Sequence, residues 1–376
     1  MKLTRRAALG GALGALFGTA ARAEPFRLVA GEIFPSSYDG YLPGVPGPPL
    51  RVVAGEPFRV LLVNKLPAAT TLVLPGGAFP GLGAPSVAPG ASAEFEMAPR
   101  APGFWLYGDY DDMVGPLIVD ESKPPPVDHD VLMAFGSDTG RRFETAAPPA
   151  GRVRLRLANA RADSTVFLRA HGAKVQIVAI DGQPCEMFEP SGGEFPLCPS
   201  SRFELMFDMG ETVVEFWEGD RLAGRIWPKG ERPPAKPPIA ALPPNPGLPD
   251  EIALERALRV DIVAAGTPEK GYSLNGAKVA ACPEKPLFSV KRGQPVTLTL
   301  VNRTDAPQTL RIEGHSARQL HALDDGWDPY WRDAMLIAPG KTLHAAFVAD
   351  APGKWPLASA SPAARAKGLK GWFQVL

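Results

Sequence analysis

Val87-Ala88-Pro89-Gly90, Leu197-Cys198-Pro199-Ser200 and Ile337-Ala338-Pro339-Gly340 are three versions of one turn, spread along the chain. Upstream of each lies a strand-like run that ends in asparagine: Gly55 to Asn64, Gly151 to Asn159 and Gly293 to Asn302. Downstream of the first and third copies the chain reads Ala-Pro-Gly-X-Trp, at Ala101 to Trp105 and Ala351 to Trp355. Self-similarity of this kind marks one supersecondary unit used repeatedly. At 376 residues there is room for two or three domains of roughly 100–200 residues. The repeat selects three, each large enough to bury its own core.

The strand signals alternate with period two. Arg152-Val153-Arg154-Leu155-Arg156-Leu157 puts three arginines on one face and three apolar residues on the other. Val296-Thr297-Leu298-Thr299-Leu300 does the same with threonine outside, and Phe58-Arg59-Val60-Leu61-Leu62-Val63 is a more buried version. Short runs of this kind divided by Gly, Pro, Asn and Asp turns describe antiparallel β-sandwiches. Long amphipathic helical patterns are absent, and 43 prolines and 39 glycines suit loop-rich β domains. Pro124-Pro125-Pro126 closes the first unit. The stretch from Pro228 to Asp250, with Pro-Pro pairs at 233–234, 237–238 and 243–244, reads as an extended, semi-rigid connector rather than a packed element. The expected units are residues 24–122, 123–230 and 251–376, with a linker at 231–250.

Residues 1–23 read as an export signal. Lys2, Arg5 and Arg6 precede a small, apolar stretch from Ala7 to Ala20, and Ala21-Arg22-Ala23 is a small-X-small cleavage site. Thr4-Arg5-Arg6 before a weakly hydrophobic, glycine-rich run matches the twin-arginine type. No later segment approaches the ~20 apolar residues of a spanning helix, so a soluble periplasmic protein is expected. The formal charge is zero, and removal of the signal leaves 36 basic against 40 acidic residues, a net −4. Nucleic-acid binding asks for a basic stripe, and none is present. Of three cysteines, Cys185 and Cys198 flank a Pro/Gly-rich excursion. A disulfide between them would staple that loop, worth about 3 kcal/mol; two buried thiols are the other reading. Cys282, between Ala281 and Pro283, reads as a buried thiol.

Several further pieces occur in a set order: Val45-Pro46-Gly47-Pro48 before Leu50-Arg51-Val52, Val63-Asn64-Lys65-Leu66-Pro67 before Thr70-Thr71, and Ala179-Ile180-Asp181-Gly182-Gln183-Pro184. Leu274-Asn275-Gly276, Val290-Lys291-Arg292-Gly293 and Trp331-Arg332-Asp333 complete the set. In order and spacing the chain resembles the multicopper oxidase superfamily, whose members stack three cupredoxin-like Greek-key domains. The resemblance covers nearly the whole mature chain. It implies an all-β fold of three tandem cupredoxin-like Greek-key β-sandwich domains, with copper held between the first and third domains and within the third.

The ligand positions depart from that family's pattern. Where the resemblance places His-Trp-His-Gly, the chain has Val73-Leu74-Pro75-Gly76, and the second His-X-His falls on Gly108-Asp109-Tyr110. His-Pro-X-His-X-His-Gly falls on Gln308-Thr309-Leu310-Arg311-Ile312-Glu313-Gly314. His-Cys-His falls on Ala358-Ser359-Ala360, and the later His and axial Met on Ala364 and Leu369. Only five histidines occur (His129, His171, His315, His321 and His344), no two of them separated by one residue. Blue copper needs a thiolate and two imidazoles, and no cysteine here has a histidine near it in sequence. The expectation is therefore no catalytic, cofactor-binding or metal residues, and loss of the oxidase chemistry. One branch of the superfamily has this character: a copper-free, twin-arginine-exported periplasmic type associated with the bacterial cell-division machinery, in which Leu310-Arg311-Ile312-Glu313-Gly314 has a similar counterpart.

Three other constellations carry residue types suited to binding. Asp109, Tyr110, Asp111, Asp112 and Met113 could offer oxygens to Ca²⁺, but acids on a loop are ordinarily solvated. His315, His321 and Met335 could form a vestigial copper site, against a satisfied imidazole in the core or at the surface. Asp324-Asp325-Gly326-Trp327-Asp328-Pro329-Tyr330-Trp331 is either an aromatic interface loop or a cap on the third core. No Gly-X-Ser-X-Gly elbow occurs, and Gly340-Lys341-Thr342 is not a phosphate loop because Met335 stands where its first glycine must be. The expected function is a non-catalytic scaffold or protective factor for cell division or the envelope, with other periplasmic or envelope proteins as partners. The alternative is a periplasmic copper-binding or redox protein with a non-standard copper site.

Overall fold

The computed structural model describes residues 24–30, 47–72, 85–99, 101–108, 114–136, 142–161, 163–276, 283–321 and 326–376. The expected signal, Val73 to Gly76, Asp109 to Met113 and Cys282 lie outside the described residues.

The sequence repeat reappears as topology. In each of three sheet pairs, the strand that carries the asparagine at or next to its end lies between one parallel and one antiparallel neighbour. Phe58–Asn64 runs parallel to Phe26–Ala30 and antiparallel to Ser92–Met97. Arg152–Asn159 runs parallel to His129–Phe135 and antiparallel to Arg202–Asp208. Pro295–Arg303 runs parallel to Leu258–Thr267 and antiparallel to Thr342–Val348. Parallel neighbours cannot be joined by a tight hairpin. Between them the chain contributes a strand to the opposing sheet: Leu50–Val53, Phe143–Ala147 and Ser289–Val290, respectively. Those crossings make each pair a Greek-key, cupredoxin-like sandwich, as expected.

Period-two patterning builds the three cores. Val153, Leu155 and Leu157 enter the second core with Phe203, Leu205 and Phe207 from the adjacent strand. Val296, Leu298 and Leu300 enter the third, and Val60 and Leu62 the first. Among the described residues no helix is long and apolar enough to cross a membrane.

Each terminal asparagine fastens the Pro-Gly turn of its own unit, and the bonds repeat almost identically. Asn64 Nδ2 donates to Ala68 O and Val87 O, both at 2.8 Å, while Oδ1 accepts from Leu66 N at 2.8 Å. Asn159 Nδ2 donates to Ser164 O at 2.8 Å and Leu197 O at 2.9 Å. Asn302 Nδ2 donates to Ala306 O and Ile337 O, both at 2.9 Å. The turn answers through its backbone: Gly90 N, Ser200 N and Gly340 N donate to the carbonyls of Asn64, Asn159 and Asn302 at 2.9, 2.8 and 2.9 Å. Gly90 and Gly340 take φ of 74° and 69°, and Ser200 takes 67°. That left-handed conformation favours glycine, which explains glycine in two copies.

Arg152, Arg154 and Arg156 stand on the face opposite the core, as the alternation expects, and that face is itself buried. Two expectations need correction. The proline-rich segment has no strand or helix from 229 to 253, yet it is packed. Leu242 and Ile239 sit against Val178, Ala179 and Met206, and Asn245 donates to Pro102 O, Gly182 O and Gln183 Oε1 at 3.0, 3.1 and 2.8 Å. It is a strap over the first and second units. Cys185 and Cys198 are free, buried thiols. Cys185 lies on Gln183–Phe188 and Cys198 just beyond Glu194–Leu197, strands that belong to opposite sheets.

Candidate functional site

The fold brings together the third-unit positions where the resemblance places the blue copper. Gln308 opens the strand Gln308–Ile312, and Ser359 ends the adjoining strand Gly353–Ser359. Ser359 Oγ lies 3.5 Å from Gln308 Oε1. Ser359 N donates to Leu369 O at 2.9 Å, and Leu369 N donates to Ala364 O at 2.9 Å. Ala364 is carried by the short helix Pro362–Ala366, capped by Ser361. The four positions therefore converge, but they offer a hydroxyl, an amide, a methyl and an isobutyl group. None of these is a thiolate or imidazole, so the donor set does not fit a blue copper.

The neighbouring positions, where the resemblance places third-unit ligands of the copper cluster, hold an ion network instead. Arg311 Nε lies 3.1 Å from Glu313 Oε1, and Arg311 Nη2 lies 3.7 Å from Asp333 Oδ2. Arg202, from the second unit, donates to both oxygens of Asp333 at 3.0 and 2.7 Å. Asp181 accepts from Arg202 N at 2.9 Å and from Asp333 N at 3.2 Å. The Arg202 guanidinium also lies 5.7 Å from the Trp105 ring of the first unit. All three units meet at this point. The backbone approach there is close: a Cβ on Gly103 would fall 2.3 Å from Gly182 O, and one on Gly182 2.6 Å from the Trp105 ring. A metal cation at this place would face two guanidinium groups, which oppose it by like charge.

Burial sets the protonation of this network. Desolvation pushes the Asp181 carboxyl up, reinforced by Asp333 and opposed by Arg202. Desolvation likewise raises Glu313 against the pull of Arg311. For Asp333 burial is outweighed by Arg202 and Arg311, which hold its carboxyl below the usual range.

A second network joins the first two units. Arg154 donates to Glu204 at 2.7 Å and to both oxygens of Glu121 at 3.0 and 2.7 Å. Arg156 donates to Glu204 at 2.8 Å and to Asp130 at 3.0 Å, and Arg51 bridges Asp120 and Asp130 at 2.6 and 2.8 Å. Beside it lies an apolar patch of Phe104, Leu106, Ile118, Ala134 and Ala158. Buried ion pairs roughly break even against desolvation. The patch supplies the adhesion, and the charges set how the two sandwiches register.

The remaining candidates separate. His315 is buried, with ring centroids of Phe347, Trp355 and Phe373 at 5.1, 5.5 and 5.4 Å. Its Nδ1 lies 3.3 Å from Glu313 O and its Nε2 3.7 Å from Asp350. Those groups, rather than His321 or Met335, are what its nitrogens face. Trp331 is buried, and Tyr330 stacks on Phe188 of the second unit at 6.1 Å. Tyr330 therefore joins two units, and the burial of Trp331 speaks against an exposed interface aromatic there. Among the described residues no group of three or more His, Cys, Asp or Glu side chains is placed to hold a metal ion. Arg202 and its acids were not singled out from sequence as a site, although Asp181 and Asp333 lie within pieces quoted for the resemblance.

Residues 252–375 match the family model for multicopper oxidase. The multicopper oxidase MmcO of Mycobacterium tuberculosis is 24% identical over 294 residues, covering 66% of this chain. The chain spans about half (54%) of that curated relative's length. Lac15 from a marine microbial metagenome superposes with a TM-score of 0.75 at 26% identity, covering 94% of this chain and 100% of Lac15. A multi-copper oxidase from Pseudomonas thermotolerans gives a TM-score of 0.81 at 22% identity, covering 94% and 99%. The chain is thus multicopper-oxidase-like in fold over nearly its whole length.

Proposed function

We propose that this chain is a non-catalytic, copper-independent member of the multicopper-oxidase-like proteins, exported to the periplasm through a twin-arginine signal. It acts through its surfaces as a scaffold or protective factor for cell division or the envelope. The observation that supports this reading is the pairing of Ser359 with Gln308 where a copper thiolate and imidazole are expected. The Arg311–Glu313 pair in the neighbouring ligand positions supports it further. The names of the relatives favour a second reading, a periplasmic copper or redox protein with a non-standard site.

One measurement separates the two. The exported protein is loaded with Cu²⁺, dialysed, and assayed for copper per chain and for thiolate-to-copper absorbance. The first reading expects neither stoichiometric copper nor a blue band, and retention of one copper or more per chain overturns it. A deletion strain with normal division and unchanged envelope resistance would count against the scaffold role.

A further inference from the structure

The outer face of the third unit carries a groove of about 570 Å³, within the range of small-ligand pockets, about 300–1,000 Å³. It lies on the sheet containing Leu258–Thr267, Pro295–Arg303 and Thr342–Val348, whereas Gln308 and Ser359 belong to the opposite sheet. Strand register builds its floor. Arg259 stands beside Thr297, Asp261 beside Thr299, and Thr299 beside His344. These are the alternate positions to Ile262, Leu298 and Leu300, which point into the core. The half-buried Trp327 forms a wall. It is held in place by a β-bridge to Leu320, whose N donates to His344 O at 2.8 Å.

The floor side chains are polar and uncommitted. Among the described residues, Arg259, Asp261, Thr297, Thr299 and His344 make no side-chain hydrogen bond or ion pair within the protein. Other aromatics of the same loop are engaged: Tyr330 stacks on Phe188, and Trp331 lies under Arg318 at 4.7 Å. Trp327 is the one that lines the groove.

The chemistry selects a ligand class. Arg259 and Asp261 carry opposite charges that cancel, so the floor has neither the arginine cluster that an anionic phosphate asks for nor an acidic surplus for a cation. Two hydroxyls, a carboxylate, a guanidinium and an imidazole suit a ligand rich in hydroxyl groups. Neighbouring strands lie about 4.7–4.9 Å apart, so adjacent rows can reach hydroxyls on either side of one pyranose ring. The indole face is electron-rich and suits the C–H face of such a ring. We propose that the groove binds a neutral oligosaccharide, with Trp327 as the stacking platform and the Arg259–Thr297 and Asp261–Thr299–His344 rows as the hydroxyl-reading floor.

The test is calorimetric titration of the exported protein with cellobiose, maltose and the chitin di- and trisaccharides, beside glucose 6-phosphate. Saturable binding of at least one neutral saccharide is expected, weakened tenfold or more by Trp327→Ala, less by Trp327→Phe, and about fivefold by Asp261→Asn. Phe167→Ala, at an exposed position on the second unit, should leave the affinity unchanged. Thermal unfolding of each variant shows that it is folded. Absence of saturable binding by every neutral saccharide at millimolar concentration overturns the proposal. So does unchanged affinity in Trp327→Ala, or stronger binding of the sugar phosphate. None of these outcomes depends on copper content.

Discussion

The Arg202 guanidinium grips both carboxylate oxygens of Asp333 in a fork, Nη1 to Oδ1 at 3.0 Å and Nη2 to Oδ2 at 2.7 Å, with both side chains buried. Arg202 comes from the second unit and Asp333 from the third, so the pair latches two sandwiches at the point where the first also arrives. Arg202→Met would leave Asp333 and Asp181 buried without their principal cation. Removal of one partner from a buried pair costs about 3–5 kcal/mol, and that loss is expected in urea unfolding. Arg202→Lys should recover little of it, because an ammonium cannot make the planar fork. A loss below about 1 kcal/mol, the scale of a solvated pair, would show that the latch is not buried in solution.

The asparagine staple makes a prediction about the repeat. Asn302→Ala strips hydrogen-bond donors from the carbonyls of Ala306 and Ile337 and an acceptor from Thr304 N. Unsatisfied buried groups cost about 1–3 kcal/mol each when a partner is removed, so with three groups affected a total of about 3 kcal/mol or more is expected. Asn302→Asp should be no better, since it sets a carboxylate oxygen against two carbonyls. Equal stability of both variants with the parent in chemical denaturation would remove the staple from the account.

His315 predicts a pH dependence. Burial lowers its pKa from 6.5 to about 4, only partly offset by Asp350. Between those values the unfolded chain binds the proton and the folded chain does not, so stability falls as the pH drops from about 6.5 to about 4. The shift corresponds to about 3 kcal/mol. In His315→Phe the stability lost between pH 7 and pH 4.5 should be smaller than in the parent by about 2–3 kcal/mol. An identical pH profile would mean that His315 is hydrated.

The convergence of Gln308, Ser359 and Ala364 predicts what restoration requires. Ser359→Cys alone should bind no blue copper, because no imidazole accompanies the thiolate. The triple variant Gln308→His, Ser359→Cys, Ala364→His supplies a thiolate and two imidazoles at positions that the fold already brings together. It should take up one Cu²⁺ per chain and develop the thiolate-to-copper band. A colourless triple variant would show that the backbone there has drifted from a copper-holding geometry.

Burial pushes the Cys185 thiol up to about 12 and the Cys198 thiol up to about 11. The thiolate is the reactive form. In a Cys282→Ser background, a thiol reagent at pH 8 should therefore modify neither cysteine in the folded protein and both after unfolding without reductant. Zero thiols after unfolding would restore the disulfide.

The parts of the fold visible in the sequence are the local ones. Asparagine, proline and glycine recur at matched places because each unit solves the same turn with the same few bonds. Thr297 and Thr299 were placed outside by simple alternation, and outside is where they are. Alternation also put Arg154 and Arg156 on the face opposite Leu155 and Leu157, but period two assigns a side chain to a face without saying what covers that face, and theirs is buried. The packing of the proline-rich segment is hidden for the same reason: its composition shows that it is extended, but not that Leu242 and Asn245 find a surface to pack on. That the positions where the resemblance places the blue copper carry other residue types is visible in the sequence, because it is a matter of residue identity. The groove was not, since Arg259, Thr299 and His344 lie on three strands far apart in sequence.

From sequence alone follow three β-sandwich units, their turns, and the residue types at the positions where the resemblance places copper ligands. These follow from residue identity and local backbone preference, which travel with the chain. Only the tertiary structure decided what stands in their place. It set Arg202 from the second unit into the cluster of Arg311, Glu313 and Asp333, and it left Trp327 beside an uncommitted polar floor. Electrostatic pairing and desolvation depend on distance through space, and residues 131 apart in sequence meet only when two sandwiches dock.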